Sequence, residues 1–200
     1  MTTKDNLKIV GGLAKPSKMP GWAYGLPAAE CKTGSKLAQQ DNTTCSGCYA
    51  LKGCYVFPVV QAAQYRRLKA IDNPLWVRAM AALINSKKAK YFRWHDSGDL
   101  QSLKHLAKIF KVAKLTPDVQ HWVPTREAWT QAYQDRAPSN LVIRFSMPMV
   151  DQPAAGNWNN TSTVVSGSGR TCPAPDQGNE CKDCRACWDP SVKNVAYGKH

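Results

Sequence analysis

The residues best equipped for chemistry in this 200-residue chain are eight cysteines, four near each end. The C-terminal set runs Cys172-x8-Cys181-x2-Cys184-x2-Cys187. A Cys-x2-Cys-x2-Cys run can wrap backbone around a cubane so that three thiolates reach three irons, while a remote cysteine supplies the fourth. Pro173 follows the remote Cys172, which here precedes the run, whereas in bacterial ferredoxins the Cys-Pro pair comes after it. The N-terminal set, Cys31-x13-Cys45-x2-Cys48-x5-Cys54, contains one Cys-x2-Cys, a spacing shared by zinc knuckles, redox motifs and cluster sites. Eight thiols satisfy two four-thiolate sites, and one cluster with spare thiols fits the count equally well. Zinc is the rival, since it takes the same ligands, but its sites usually pair two Cys-x2-Cys knuckles across a longer gap. Three cysteines within seven residues suit a 4Fe-4S cluster better. Cys172, Cys181, Cys184 and Cys187 are therefore the first-choice ligands, with Cys31, Cys45, Cys48 and Cys54 as a second or contributing set. Tyr49 and Trp188 each follow a cysteine, where they either shield a cluster from water or pack in the core.

A second group of candidates depends on the elements that hold it. Trp76, Met80, Leu83 and Ile84 recur at helical spacing after Asn73-Pro74 and predict a helix to about Ser86. Leu103, Leu106, Phe110 and Ala113 predict another, capped by Asp99 or Ser102, and residues 126–136 a third. The runs 91–94, 119–123, 141–145 and 162–165 read as strands between them. Strands alternating with helices predict an α/β fold: a partial (β/α) barrel-like parallel sheet with loop-rich, Cys-containing N- and C-terminal extensions. The chain reads as one domain, with residues 1–58 and 167–200 as the extensions and 59–166 as the core. In parallel α/β folds the active face lies at the C-terminal strand ends. There the chain places His95-Asp96-Ser97-Gly98-Asp99, then Pro124-Thr125-Arg126-Glu127, Ser146 and Ser166-Gly167-Ser168-Gly169. Asp96, Asp99, Arg126 and Glu127 are the catalytic candidates, and Ser97, Gly98, Asp99 and Thr125 the candidates for holding a cofactor. His95 and His121 could serve as acid–base groups, and His95 also as a metal ligand. His105, among lysines, reads as a surface residue.

Composition narrows the partners. Lys and Arg number 27 against 14 acids, a formal charge of +13, of which residues 61–116 supply +9 from twelve basic and three acidic side chains. Arg66, Arg67, Lys69, Arg78, Lys87, Lys88 and Lys90, followed by Lys104, Lys108 and Lys111, make a basic surface suited to phosphate backbones, or simply a solvated helix exterior. No apolar leader and no membrane-length apolar run is present, so a cytoplasmic protein without a membrane partner is expected. Thiols in that compartment are kept reduced, which favours metal binding over disulfides. No phosphate-binding glycine loop or positioned hydrolytic triad is visible.

Several blocks carry a family resemblance: residues 20–28, 31–37, 48–53, 124–127 and 184–189, and above all Tyr91-Phe92-Arg93-Trp94-His95-Asp96-Ser97-Gly98-Asp99. Over nearly its whole length the chain resembles the "gene product 88"-like proteins of bacteriophages and some bacteria. A phage origin implies the host cytoplasm. More distantly, the layout is similar to that of radical S-adenosylmethionine enzymes, which place a 4Fe-4S cluster at the mouth of a partial barrel. In that resemblance the Ser97-Gly98-Asp99 turn corresponds in kind to the segment that holds the methionine amino group. The usual Cys-x3-Cys-x2-Cys is absent, so the likeness carries the cluster and the barrel and stops short of S-adenosylmethionine itself. Two function classes follow: a cluster-dependent redox or radical enzyme, and a cluster- or zinc-stabilised nucleic-acid-binding module without catalysis.

Overall fold

In the computed structural model, which describes residues 1–199, six strands form one open, all-parallel sheet. They are β1 (Trp22–Tyr24), β2 (Tyr91–Trp94), β3 (Gln120–Thr125), β4 (Leu141–Val150), β5 (Thr161–Val165) and β6 (Asn194–Gly198), and they lie side by side in chain order. Sequential order means that every crossover advances in one direction, the connectivity of a partial β/α barrel. Both edge strands come from the regions expected to be loop-dominated. Both lie among turn-forming residues in the Cys-bearing extensions, and pairing decides them: Ala23 lies opposite Arg93, and Ala196 opposite Thr163.

The helices are α1 (Thr3–Val10), α2 (Lys32–Leu37), α3 (Pro58–Ala70), α4 (Trp76–Ser86) and α5 (Leu103–Lys114). Thr2 and Asp5 close a capping box on α1, and Gly11, at φ 76°, ends it. Ser102 caps α5 by accepting from His105 N. The stripe that α5 buries is His105, Leu106, Ile109, Val112 and Ala113, while Leu103 is exposed. The expectation of a surface His105 is therefore corrected: its ring packs edge-on to Trp76 at 6.0 Å, because the apolar stripe is one position out of phase with the one read from sequence. Residues 128–136 form 3-10 turns instead of an α-helix.

Side chains alternate across the sheet. Phe92, Trp94, Val123 and Ile143 join Tyr24, Trp76 and Leu106 in the main core. Arg93 and Trp122 take the opposite face, with the guanidinium 4.6 Å over the indole. That face is covered by Trp188, whose ring lies 5.2 Å from Trp122 and whose Nε1 donates to Phe92 O at 3.0 Å. Arg144, fully buried, donates to the carbonyls of Thr161, Ala186, Asp189, Val192 and Lys193. It thereby fastens the C-terminal segment beneath the sheet. Two of the cations counted toward the basic surface turn inward: Arg67 is buried, and Arg93 is half-buried.

Candidate functional site

The loops after β1, β2 and β3 meet on one rim together with the bulged second half of β4, which runs on to Val150 and so holds Ser146 within the strand and not after it. Leu26 N donates to Ser97 O at 2.8 Å, joining the loops after β1 and β2. Arg126 N donates to Asp99 Oδ2 at 2.7 Å, joining the loops after β2 and β3. The Arg126 guanidinium continues to Ser146 O at 2.5 Å and to Met147 O on the bulged end of β4. Three of the four expected segments thus converge. The fourth, Ser166 to Gly169, is exposed, and Ser166 binds Asp151 through both its N–H and its hydroxyl.

Onto this rim the N-terminal region folds three cysteines. Cys31 leads into α2, whose Thr33 N donates to Glu127 Oε1 at 3.1 Å. Glu127 is held in turn by Trp129 Nε1 at 2.9 Å. Cys45 arrives on a strap tied to β4, where Thr44 N donates to Pro148 O and Val150 N to Asn42 O, both at 2.9 Å. Cys48 N closes a turn on Cys45 O at 3.2 Å. Gly34 marks the centre of the group: a Cβ there would lie 3.7 Å from the sulfurs of both Cys31 and Cys45. Any side chain would fill the space between the thiols. Burial pushes the Cys31 thiol well up, reinforced by Asp99, Cys48, Cys45 and Glu127 around it. Burial also raises Cys48. Cys54 differs from these three in being exposed, on the following turn. Protonated thiols of this kind are poor nucleophiles, and a bound metal would displace their protons.

The turn after β2 divides its labour. Asp99 spends both oxygens within the protein, Oδ1 on Leu100 N and Oδ2 on Arg126 N, each at 2.7 Å. Burial nevertheless lifts its pKa to about 6, against these bonds and one from Thr125. Gly98, at φ 76°, lies so close to Leu26 that a Cβ would meet its carbonyl oxygen at 2.8 Å. Ser97 Oγ donates to Leu26 O and accepts from Gln64 Nε2. Asp96 differs: it is buried and its Oδ1 has no partner. That oxygen lies against Gly25, where a Cβ would come within 2.4 Å of it. Burial raises the Asp96 pKa, opposed by Arg93 and Arg67. Tyr49 links this turn to Cys48 by donating to Asp96 O at 2.6 Å while accepting from Arg93 Nη2 at 3.2 Å.

The four C-terminal cysteines share another space. Cys172, Cys181, Cys184 and Cys187 line one cavity of about 20 Å³, closed by Pro173, Ala186, Trp188 and Val195. Burial pushes the Cys187 thiol up to about 11, opposed by the Tyr197 hydroxyl 3.0 Å away and by Arg144. Cys181 is raised by burial and by Cys172 and Cys184. A tetrahedral zinc needs its sulfurs about 3.8 Å apart. No group of three or more His, Cys, Asp or Glu among the described residues is gathered closely enough to hold one ion. The four C-terminal thiols line one cavity, and Cys31 and Cys45 of the rim set flank Gly34.

The remaining histidines are core groups. His121 pairs with Thr116 Oγ1 at 2.8 Å and stacks on Trp94, and His95 is buried with neither ring nitrogen bonded. Sequence reasoning missed Gly25, Gly34, Gln64 and Arg67, which shape the rim, and Arg144 and Tyr197, which shape the second cavity. No local signal marks them: Gly25 is decided by its contact with Asp96 and Ser97, and the others by partners far along the chain.

A family model described as Gene product 88 matches residues 1–190. No curated protein and no solved structure matches the chain.

Proposed function

Taking as premise that the chain belongs to the Gene product 88 family, we propose that it is an iron-sulfur protein with two sites. Cys172, Cys181, Cys184 and Cys187 hold one 4Fe-4S cluster, and Cys31, Cys45 and Cys48 hold a second on the rim. The observation that carries this reading is the sorting of seven half-buried thiols into two groups, each around a space free of side chains. Bound clusters supply one-electron chemistry, and a site with three protein thiolates leaves one iron for a ligand from outside. Gly34 keeps the rim space open. Glu127 and Thr33 fix the approach of Cys31, and the Thr44 strap fixes that of Cys45.

Asp96, and not Asp99, is the group available to a ligand. Its unpartnered oxygen suits an ammonium or amide N–H; burial raises its pKa, opposed by Arg93 and Arg67 beside it, and a cationic ligand there would add to their effect. S-adenosylmethionine, which carries an ammonium to meet Asp96 and a carboxylate able to ligate iron, is the first ligand to test. On this reading the protein is a cluster-dependent redox or radical enzyme.

Anaerobic purification with metal analysis decides the matter. The expected preparation is brown, with iron and sulfide present and zinc absent. Exchanging Cys172, Cys181, Cys184 and Cys187 for Ser should remove about half the iron, and so should exchanging Cys31, Cys45 and Cys48. The single change Cys54→Ser should remove none. A colourless protein carrying zinc overturns the proposal. Cluster-loaded protein that never cleaves S-adenosylmethionine under a low-potential reductant removes the radical branch and leaves redox.

A further inference from the structure

α3 turns polar side chains inward, beside Leu68 and Ala70, which pack partly buried against the core. Its buried side chains are Gln64 and Arg67, which reach the rim loops through Ser97 Oγ at 2.9 Å and Gly25 O at 3.0 Å. The large apolar groups that precede and begin it face solvent: Tyr49, Leu51, Val56, Phe57 and Val59, with Phe57 56% and Val59 74% exposed. Tyr65, one turn beyond the Gln61 position, is 45% exposed. An amphipathic surface helix has the reverse arrangement. Exposed apolar residues gathered along one stretch of chain mark a binding face.

Charge identifies the occupant. Residues 49–69 contain no Asp or Glu, while Lys52, Arg66 and Lys69 are exposed along the same stretch of chain as the aromatic residues. Among the described residues, the one carboxylate bonded to this face from elsewhere is Glu30, whose Oε1 accepts from Tyr65 OH at 3.2 Å. Rings with cations and almost no acid fit a flexible polyanion that carries flat apolar faces. That description is single-stranded nucleic acid, whose unpaired bases stack on aromatic side chains while its phosphates follow Lys and Arg. Duplex DNA keeps its base faces stacked inside and cannot use the rings. We propose that Tyr49, Phe57 and Tyr65 form a stacking platform for single-stranded nucleic acid, with phosphates along Lys52, Arg66 and Lys69. Tyr49 bonds to the Asp96 turn, so the strand's path runs beside the rim. This surface requires no metal and stands independently of the cluster reading.

The probe is a fluorescein-labelled dT20, titrated with the full chain and followed by anisotropy, with the matched duplex and anionic phosphatidylglycerol vesicles as comparisons. Binding to dT20 over the duplex is expected, with a log–log salt slope of about −2 for three phosphate contacts. Phe57→Ala should weaken it about tenfold while leaving the thermal midpoint unchanged, because the ring is exposed. Exchanging Lys52, Arg66 and Lys69 together for Gln should bring the salt slope near zero. Absence of dT20 binding at low salt, equal binding to the duplex, or an affinity indifferent to Phe57→Ala each overturns the proposal. Vesicle binding that Phe57→Ala abolishes, without dT20 binding, assigns the face to an anionic membrane surface instead.

Discussion

Asp96 and Asp99, three residues apart on one turn, have opposite fates. Asp99 looked like the ligand-holding carboxylate because it follows Gly98 after a strand, yet backbone N–H groups from two loops take both its oxygens. Asp96 is left with a free one. Residue type and position put both on the rim; only the loop after β3, packed beside them, chooses between them. The histidines carry a pH prediction. Burial holds His105 and His121 near pKa 3, with Lys108 adding to the effect at His105. In the unfolded chain both protonate near 6.5, so between about pH 3 and 6.5 the unfolded state binds more protons. Stability is fully present above that window and falls as the pH drops through it. The loss is about 2 kcal/mol per histidine at pH 5. Urea denaturation at pH 5 and pH 7.5 measures it, and His105→Gln or His121→Gln should each flatten the slope.

Among elements, those that advertised themselves were the ones that bury a stripe of their own. α4, α5 and the strands β2 to β5 were legible because apolar residues recur at 3.6 or 2 along them. β1, β6 and α3 were not. The two edge strands are selected by partners to pair with, and α3 by polar bonds from Gln64 and Arg67 to loops more than thirty residues away. The same dependence fixes the turn after β2. Gly98 combines a left-handed φ with close contact to the Leu26 backbone, so Gly98→Ala should destabilise the fold by about 2–3 kcal/mol, read from the shift in urea midpoint. Gly167, with nothing near its Cβ position, is the control, and its Ala variant should melt like the parent.

At the scale of the whole molecule, one sheet carries two thiol groups, and Arg93 lies between them, bonded to Tyr49 beside Cys48 and close enough to Cys181 and Cys187 to act on both. The first sits on the rim at the strand ends, and the second lies under the face opposite α4 and α5. Arg144 is the fastening for the second. Replacing it by Met leaves several buried carbonyls without donors, a loss upward of about 3 kcal/mol. Arg144→Met should expose the segment after Gly169 to limited proteolysis while residues 1–165 stay protected. Equal cleavage throughout would mean that the segment is integral to the sheet's stability. The amino-acid sequence by itself determined the α/β class, the basic excess, the two cysteine sets and the polar strand ends, because each is a matter of residue type and local period. The tertiary structure alone decided that Cys54 is exposed while the other N-terminal thiols are half-buried, that backbone N–H groups take both oxygens of Asp99 while Asp96 keeps one without a partner, and that Arg67 faces inward. Those outcomes depend on which distant backbone groups arrive beside a side chain, and local spacing carries no record of them.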